Sequence, residues 1–144
     1  MNQKKGFTLV ELLAVIVILA IIISIASSSV YRLVNRAKED TASEMRNSLK
    51  EAALNYVMGN IHLEKCPPVN SDKNYTEAEI EALPASCKKV LTAQTLIESS
   101  DFEDPRGFCY RKDADNAQVI VYRFNGTDGN SEYKAFVNEK YCKN

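Results

Sequence analysis

The chain has 144 residues, 45% of them hydrophobic and 26% charged, and its 18 Lys and Arg nearly balance 19 Asp and Glu. The resulting net charge of −1 shows no basic excess, so composition does not indicate a protein that binds nucleic acid over its whole surface. About 118 residues remain beyond an apolar N-terminal stretch, which is enough for one modest domain.

The first predicted element is an apolar helix that begins at Phe7. Phe7 to Ala26 are twenty residues. As a helix they span about 30 Å, the thickness of the hydrocarbon core of a bilayer. Glu11 is the only charged residue in this stretch. A carboxylate at mid-bilayer costs on the order of 2.5 kcal/mol or more, so Glu11 calls for a partner or a function.

A serine-rich segment, Ser24 to Ser29, follows the apolar run. Serine hydroxyls compete for backbone hydrogen bonds, so we expect a continuous helix that is locally weaker here. The next part is amphipathic, and Gly59 with Asn60 predicts a helix end near Met58. The apolar stripe expected to pack on a folded head consists of Val34, Ala37, Thr41, Ala42, Met45, Leu49, Ala52, Ala53 and Tyr56.

Two short helices are predicted in the middle of the chain. Thr76 and Glu79 form a capping-box pattern, which predicts a helix from Glu77 to Leu83 that Pro84 closes. The second helix is predicted from Ala93 to Glu98.

The last third of the chain predicts antiparallel strands. Apolar residues alternate over Gln118 to Asn125 and over Glu132 to Asn138, and the loop Asn125 to Asn130 suits a hairpin. Phe108 to Lys112 predicts a third strand, after a turn at Asp104 to Gly107. A long N-terminal helix that covers one face of a small antiparallel sheet makes an α+β fold.

One predicted strand is apolar on both of its faces. Ile120, Tyr122 and Phe124 alternate on one face, and Val119 and Val121 lie on the other. This pattern indicates a central strand, or a strand whose outer face meets another subunit.

No set of residues indicates catalysis. The chain has one histidine, His62, and no nucleophile motif such as G-x-S-x-G, so we expect no enzyme activity. Asp113 to Asn116 resembles the start of a calcium loop, but the later ligands and the glycine of an EF-hand are missing, so we expect a solvated turn and no metal or cofactor. Nucleic acid stays an open question, because the head lysines would bind DNA only if the fold clustered them; they are Lys65, Lys73, Lys88, Lys89 and Lys112.

Four cysteines lie beyond the apolar helix, and an even number in a small exported domain predicts two disulfides. They are Cys66, Cys87, Cys109 and Cys142. Their spacing is not that of metal ligands, and it leaves all three connectivities open.

A compact motif stands at the start of the apolar helix. Its residues are Lys4, Lys5, Gly6, Phe7, Thr8, Leu9 and Glu11. Together they resemble the class III signal sequence of type IV pilins and pseudopilins. The resemblance implies that a prepilin peptidase cuts between Gly6 and Phe7 and methylates the new amine of Phe7. It also implies that the Glu11 carboxylate meets this ammonium on a neighbouring subunit, in a filament core where an unpaired charge would be costly.

The resemblance implies a structural subunit of a type IV pilus, or of a pseudopilus for type II secretion or competence. Residues 1–6 would be a leader peptide, 7–29 a transmembrane and filament-core helix, and 30–144 a globular pilin head. The expected partners are other copies of the chain, other pilins, the prepilin peptidase and methylase, an assembly ATPase and a platform protein.

The expected location is the cytoplasmic membrane before assembly and a filament at the cell surface afterwards. As a single-pass protein the chain would keep its N-terminus in the cytoplasm. Lys4 and Lys5 favour this orientation, but Arg32, Arg36 and Lys38 leave the positive-inside count equivocal.

The resemblance also bears on the disulfides. We favour a bond between Cys109 and Cys142, in the manner of the pilin C-terminal disulfide loop. We favour a second bond between Cys66 and Cys87, which would close the connecting loop.

Two alternatives remain open. The chain could be a minor or tip subunit of the same kind of filament. It could instead be a secreted, disulfide-bonded binding domain that an ordinary signal peptidase releases after Ala26, or a protein with an uncleaved anchor. Glu11 and the order of the motif around it argue against the ordinary signal peptide.

Overall fold

The computed structural model describes residues 7–67, 75–110, 116–125 and 129–143, apart from the side chains of 26–28. The chain divides into two compact units, with the division between Glu39 and Asp40. The elements described are, in chain order, α1 (Leu9–Asn60), α2 (Glu77–Ala82), β1 (Lys88–Thr92), α3 (Ala93–Glu98), β2 (Gln118–Asn125) and β3 (Ser131–Val137). A long N-terminal helix and a small C-terminal antiparallel sheet confirm the predicted α+β class.

Helix α1 begins at Leu9 and ends at Asn60, two residues beyond the predicted end at Met58. At its C-terminus, Asn60 Nδ2 donates to the carbonyl of Tyr56 at 2.8 Å, so a side chain satisfies one of the last carbonyls. That the helix is weaker at Ser24 to Ser29 stays a prediction.

In the unit from Asp40 onward, one stripe of α1 is buried in what we call the first core. The buried members of the stripe are Ala42, Leu49, Ala52, Ala53 and Val57, and all of them except Ala42 belong to this core. Four of these were predicted and Val57 was not. Thr41, Met45 and Tyr56 are half-buried at the margin of the stripe. Val34, which precedes Asp40, is 45% exposed.

The sheet has the order β1-β2-β3, and both pairs of strands are antiparallel. The predicted hairpin is therefore present as β2 and β3, and residues 126–128 of its loop lie outside the described part. Val90 of β1 pairs with Ile120 of β2, which pairs with Phe136 of β3.

The first strand of the sheet is not the one that the sequence predicted. The backbone N–H groups of Phe108 and Tyr110 each donate to the carboxylate of Asp104 at 2.8 Å and belong to no strand. The prediction of a strand over Phe108–Tyr110 was wrong, and residues 111 and 112 lie outside the described part. Lys88–Thr92 takes the place beside β2 instead.

The central position of β2 explains why it is apolar on both faces. Val119 and Val121 are fully buried in the first core, together with the α1 stripe. Tyr122 is buried on the other face in what we call the second core, with Ile120 and Phe124 half-buried beside it. The central-strand interpretation of the sequence is therefore confirmed.

Each core contains one disulfide. Cys66 is bonded to Cys87 in the second core, and Cys109 is bonded to Cys142 in the first. The Cα atoms are 5.1 Å and 4.1 Å apart, respectively. These are the pairings that the sequence analysis favoured. The bond between Cys109 and Cys142 ties the segment before β2 to the tail after β3.

Candidate functional site

The candidate site is the start of α1, where Glu11 folds back onto Thr8. Glu11 Oε2 accepts a hydrogen bond from the Thr8 backbone N–H at 2.9 Å and another from Thr8 Oγ1 at 3.0 Å. The Glu11 N–H in turn approaches Thr8 Oγ1 at 3.4 Å and the Thr8 carbonyl at 3.1 Å. This reciprocal arrangement is a capping box, which supplies partners for polar groups at the end of a helix.

Glu11 was predicted from the sequence as a functional residue, but its bond to Thr8 was not. The signal was present, because Thr8 and Glu11 have the Thr-x-x-Glu spacing that was recognised at Thr76 and Glu79. The carboxylate of Glu11 thus has a partner within its own subunit. Both of its bonds use the same oxygen, Oε2.

The residues at the expected cleavage point lie just before this capping box. Phe7 is 88% exposed, and Gly6 lies outside the described residues. Phe7 adjoins Thr8 in the chain, so an amine created at Phe7 would stand one residue from the cap of α1.

A large apolar surface follows the capping box. The large aliphatic side chains from Leu9 to Ile25 are each 50% exposed or more. Exposed apolar area of this extent is typical of a segment that is covered by lipid or by other protein. Between Glu11 and Arg32 the sequence has no charged residue, so this surface carries no ionised side chain of its own.

Taken singly, no helix in the described part of the chain meets the criteria of length and hydropathy for a membrane span. Two consecutive helical segments, Leu9–Ile25 and Ser29–Asn60, meet them together.

The structure describes only part of the other candidate sites. Asp113 and Asp115 of the possible calcium loop lie outside them, and within them no group of three or more His, Cys, Asp or Glu side chains is placed to hold a metal ion. Of the five head lysines, Lys73 and Lys112 also lie outside. Lys88 Nζ donates to the backbone carbonyl of Glu81.

Comparison with known proteins identifies the N-terminal segment. Residues 1–27 match the family model described as the prokaryotic N-terminal methylation motif. The match supports a type IV pilin or pseudopilin family. No curated protein and no solved structure matches the chain.

A pilin-type family is structural rather than enzymatic, and the matched motif includes the start of α1. The class III signal suggests a precursor that is anchored in a membrane and processed by a prepilin peptidase. The matched residues 1–27 contain Gly6, Phe7, Thr8 and Glu11. The long N-terminal helix and the two disulfides of the head agree with a pilin-like protein.

Proposed function

We propose that this chain is a structural subunit of a type IV pilus or of a related pseudopilus for type II secretion or competence. The leader 1–6 is removed by cleavage between Gly6 and Phe7. Residues 7–29 anchor the subunit in the membrane and later form the filament core, and residues 30–144 form the head.

The observation that carries the proposal is the position of the methylation motif at the head of a long apolar helix. The motif covers residues 1–27, and the large aliphatic side chains over Leu9–Ile25 are at least half exposed. A secreted domain released after Ala26 would discard this surface with its signal peptide. A filament subunit uses this surface twice. The surface contacts lipid before assembly, and it contacts the apolar helices of other subunits afterwards.

Glu11 has a role in both states of the subunit. Before assembly, Thr8 supplies two donors to the Glu11 carboxylate, which reduces the penalty for placing it in an apolar surrounding. After cleavage, the ammonium of Phe7 on a neighbouring subunit is the stronger partner, because a charged donor compensates a buried carboxylate better than a neutral one. Since Thr8 uses only Oε2, the ammonium can approach Oε1 without breaking the capping box.

Assembly needs more than hydrophobicity. Moving an apolar helix from lipid into a bundle of apolar helices changes little in its exposure to water, so packing and polar contacts must favour the bundle. An assembly ATPase and a platform protein would supply the work that extracts the subunit from the membrane. Other copies of the chain and other pilins would be its neighbours in the filament.

The mature N-terminus tests this proposal. We expect mass spectrometry of the protein from a cell that has a prepilin peptidase to find N-methylated Phe7. In cells that lack the peptidase the chain should begin at Met1. A mature N-terminus at Ser27 would instead show the secreted domain, and Met1 in both cells would show an uncleaved anchor.

A further inference from the structure

A group of exposed cations follows the apolar surface of α1. Arg32, Arg36 and Lys38 are all exposed, and Arg32 is the first charged residue after Glu11 in the sequence. All three cations belong to the compact unit that ends at Glu39. Cations directly beyond an apolar helix suit an anionic partner, and their position along the helix indicates which one.

The two arginines have no carboxylate partner in the described part of the chain. Glu39 and Asp40 lie three and four residues beyond Arg36, which is a spacing that allows ion pairs on a helix. The ion pair that the structure records there is a different one, between Lys134 and Glu132 in the head. Both guanidinium groups are therefore available to a partner outside the chain.

Arg32 and Arg36 lie on the same face of α1. Residues four apart on a helix stand one above the other, with Cβ atoms about 5–6 Å apart. Two guanidinium groups at this spacing can bind one phosphate group or two neighbouring ones, because each presents paired donors that match phosphate oxygens. Lys38 is six residues from Arg32 and lies on another side of the helix, so it adds charge but does not belong to this pair.

The distance from Glu11 to Arg32 matches the thickness of a bilayer. The twenty residues between them carry no charge, and all of them are helical. At 1.5 Å per residue the separation along the helix is about 31 Å, and the hydrocarbon core of a bilayer is about 30 Å thick. With Arg32 at the phosphates of one leaflet, Glu11 and its bonds to Thr8 would lie at the opposite boundary of the hydrocarbon core.

The residues around Arg32 are typical of a membrane boundary. Tyr31 is 70% exposed. Tyrosine is enriched where acyl chains meet headgroups, because its ring is apolar and its hydroxyl is polar. Val30 and Leu33 are also more than half exposed and can contact acyl chains at this level. The long apolar stem of an arginine lies along such a surface while its guanidinium reaches the headgroups.

From these observations we propose that Arg32 and Arg36 bind the headgroup phosphates of anionic phospholipids in the outer leaflet of the cytoplasmic membrane. The contact fixes the depth of the subunit in the bilayer before assembly. An anionic headgroup is preferred to phosphatidylcholine, because it brings no quaternary ammonium that would repel the guanidinium groups. The proposal rests on the proposed function, since it takes 7–29 as the membrane segment and the N-terminus as cytoplasmic.

Fluorescence at position 31 tests the lipid preference. The chain contains no tryptophan, so Tyr31→Trp introduces a single indole emitter. The full chain is inserted into vesicles of equal parts phosphatidylglycerol and phosphatidylcholine, with bromine on the acyl chains of one lipid or the other. Because bromine quenches the indole on contact, the two measurements compare the lipids around position 31. We expect brominated phosphatidylglycerol to quench about twofold more than brominated phosphatidylcholine.

Substitution of the arginines shows whether they cause the preference. The double variant Arg32→Gln and Arg36→Gln, in the same Tyr31→Trp background, should be quenched equally by the two lipids. Arg106→Gln is the matched control, because it removes the same charge from an exposed arginine of the head, and it should keep the twofold difference. Equal quenching before the arginines are changed, or a preference that survives the double variant, would overturn the proposal.

The lipid contact and the proposed function fail in different ways. If neither brominated lipid quenches position 31, the start of the chain is not anchored in the bilayer as proposed, and both proposals are overturned. If both lipids quench equally while cells with a prepilin peptidase still yield N-methylated Phe7, the subunit is processed as proposed and only the role of Arg32 and Arg36 is wrong.

Discussion

In the part of the chain that the structure describes, Glu11, Glu79 and Asp104 bind backbone N–H groups of their own segments, and each defines a local structure. Glu11 and Glu79 each reach back three residues to a threonine. Asp104 reaches forward and accepts from the N–H groups of Phe108, Cys109 and Tyr110, each at 2.8 Å. From the sequence, Asp104 was predicted only as the start of a turn. A local sequence pattern does not indicate how many backbone N–H groups will donate to one carboxylate.

Removing the Asp104 carboxylate should destabilise the head. Asp104→Ala leaves three half-buried N–H groups without their acceptor, and we expect a loss of about 2–3 kcal/mol in the free energy of unfolding. Urea unfolding of the protein in detergent micelles measures this loss. Asp101→Ala, at an exposed position three residues earlier, is the control and should change stability by less than about 0.5 kcal/mol. Equal stability of the two variants would show that the Asp104 bonds are dispensable.

At the scale of elements, capping sets where the short helices begin. Thr92 Oγ1 accepts from the Thr95 N–H at 3.2 Å at the start of α3. Before α2, Glu79 Oε2 accepts from the Thr76 N–H at 2.6 Å and from Thr76 Oγ1 at 2.7 Å. The capping-box pattern predicted the start of α2 at Glu77, whereas the cap of α3 was not recognised in the sequence and its bounds, Ala93–Glu98, were predicted without it.

Capping makes the start of α2 sensitive to acid. The Thr76 backbone N–H, and after it the Thr76 hydroxyl, lower the pKa of Glu79 from its ordinary value. Because the folded pKa is the lower one, this contribution to stability is present above the unfolded pKa, about 4.3, and is lost as the pH falls through the folded pKa. We expect the Thr76 amide to lose protection from hydrogen exchange over that range.

Glu79→Gln is the matched control for this pH dependence. Glutamine keeps an acceptor for the Thr76 N–H but does not titrate in this range. NMR-detected exchange in detergent micelles should therefore show an acid-dependent change at Thr76 in the wild type and a flat response in the variant. The same response in both proteins would mean that another group controls the start of α2.

At the scale of the whole molecule, the chain has two parts that differ in the exposure of their apolar side chains. The N-terminal segment exposes them, and the unit from Asp40 onward buries most of them. Up to Ile25, the large aliphatic side chains are exposed. The unit from Asp40 onward contains two cores of buried side chains and two disulfides. Contact with lipid or with other subunits would therefore remove more apolar surface from water in the first segment than in the unit from Asp40 onward.

Substitution of Glu11 separates its two roles. Glu11→Ala should leave cleavage after Gly6 largely intact and lower filament yield by at least about tenfold, because the Phe7 ammonium of a neighbour would lose its buried partner. Glu11→Gln can keep the bond to Thr8 but not the charge, so its yield should be low as well. Sheared filaments, measured by immunoblot, give the yield.

Glu44→Ala, which removes an exposed carboxylate from the head half of α1, is the control and should assemble normally. If Glu11→Gln assembled as well as the wild type while Glu11→Ala did not, capping by Thr8 rather than the ion pair would be the role of Glu11 in assembly.

The sequence by itself determined the features that depend on neighbours close in the chain. Helical periodicity predicted α1, Thr-x-x-Glu spacing predicted the start of α2, and the motif around Gly6 and Glu11 indicated the family. Such signals are local, because caps, helix faces and processing motifs involve residues within a few positions of each other.

The sequence predicted the hairpin of β2 and β3, and only the tertiary structure decided which segment pairs with the other edge of β2. Lys88–Thr92 has a weak strand pattern, and it becomes β1 because Val90 and Leu91 meet Ile120 and Val119 about thirty residues away. Phe108 to Tyr110 has a better pattern, yet its amides bind Asp104 instead. Pairing between strands that are distant in the sequence depends on packing, and no local pattern contains that information.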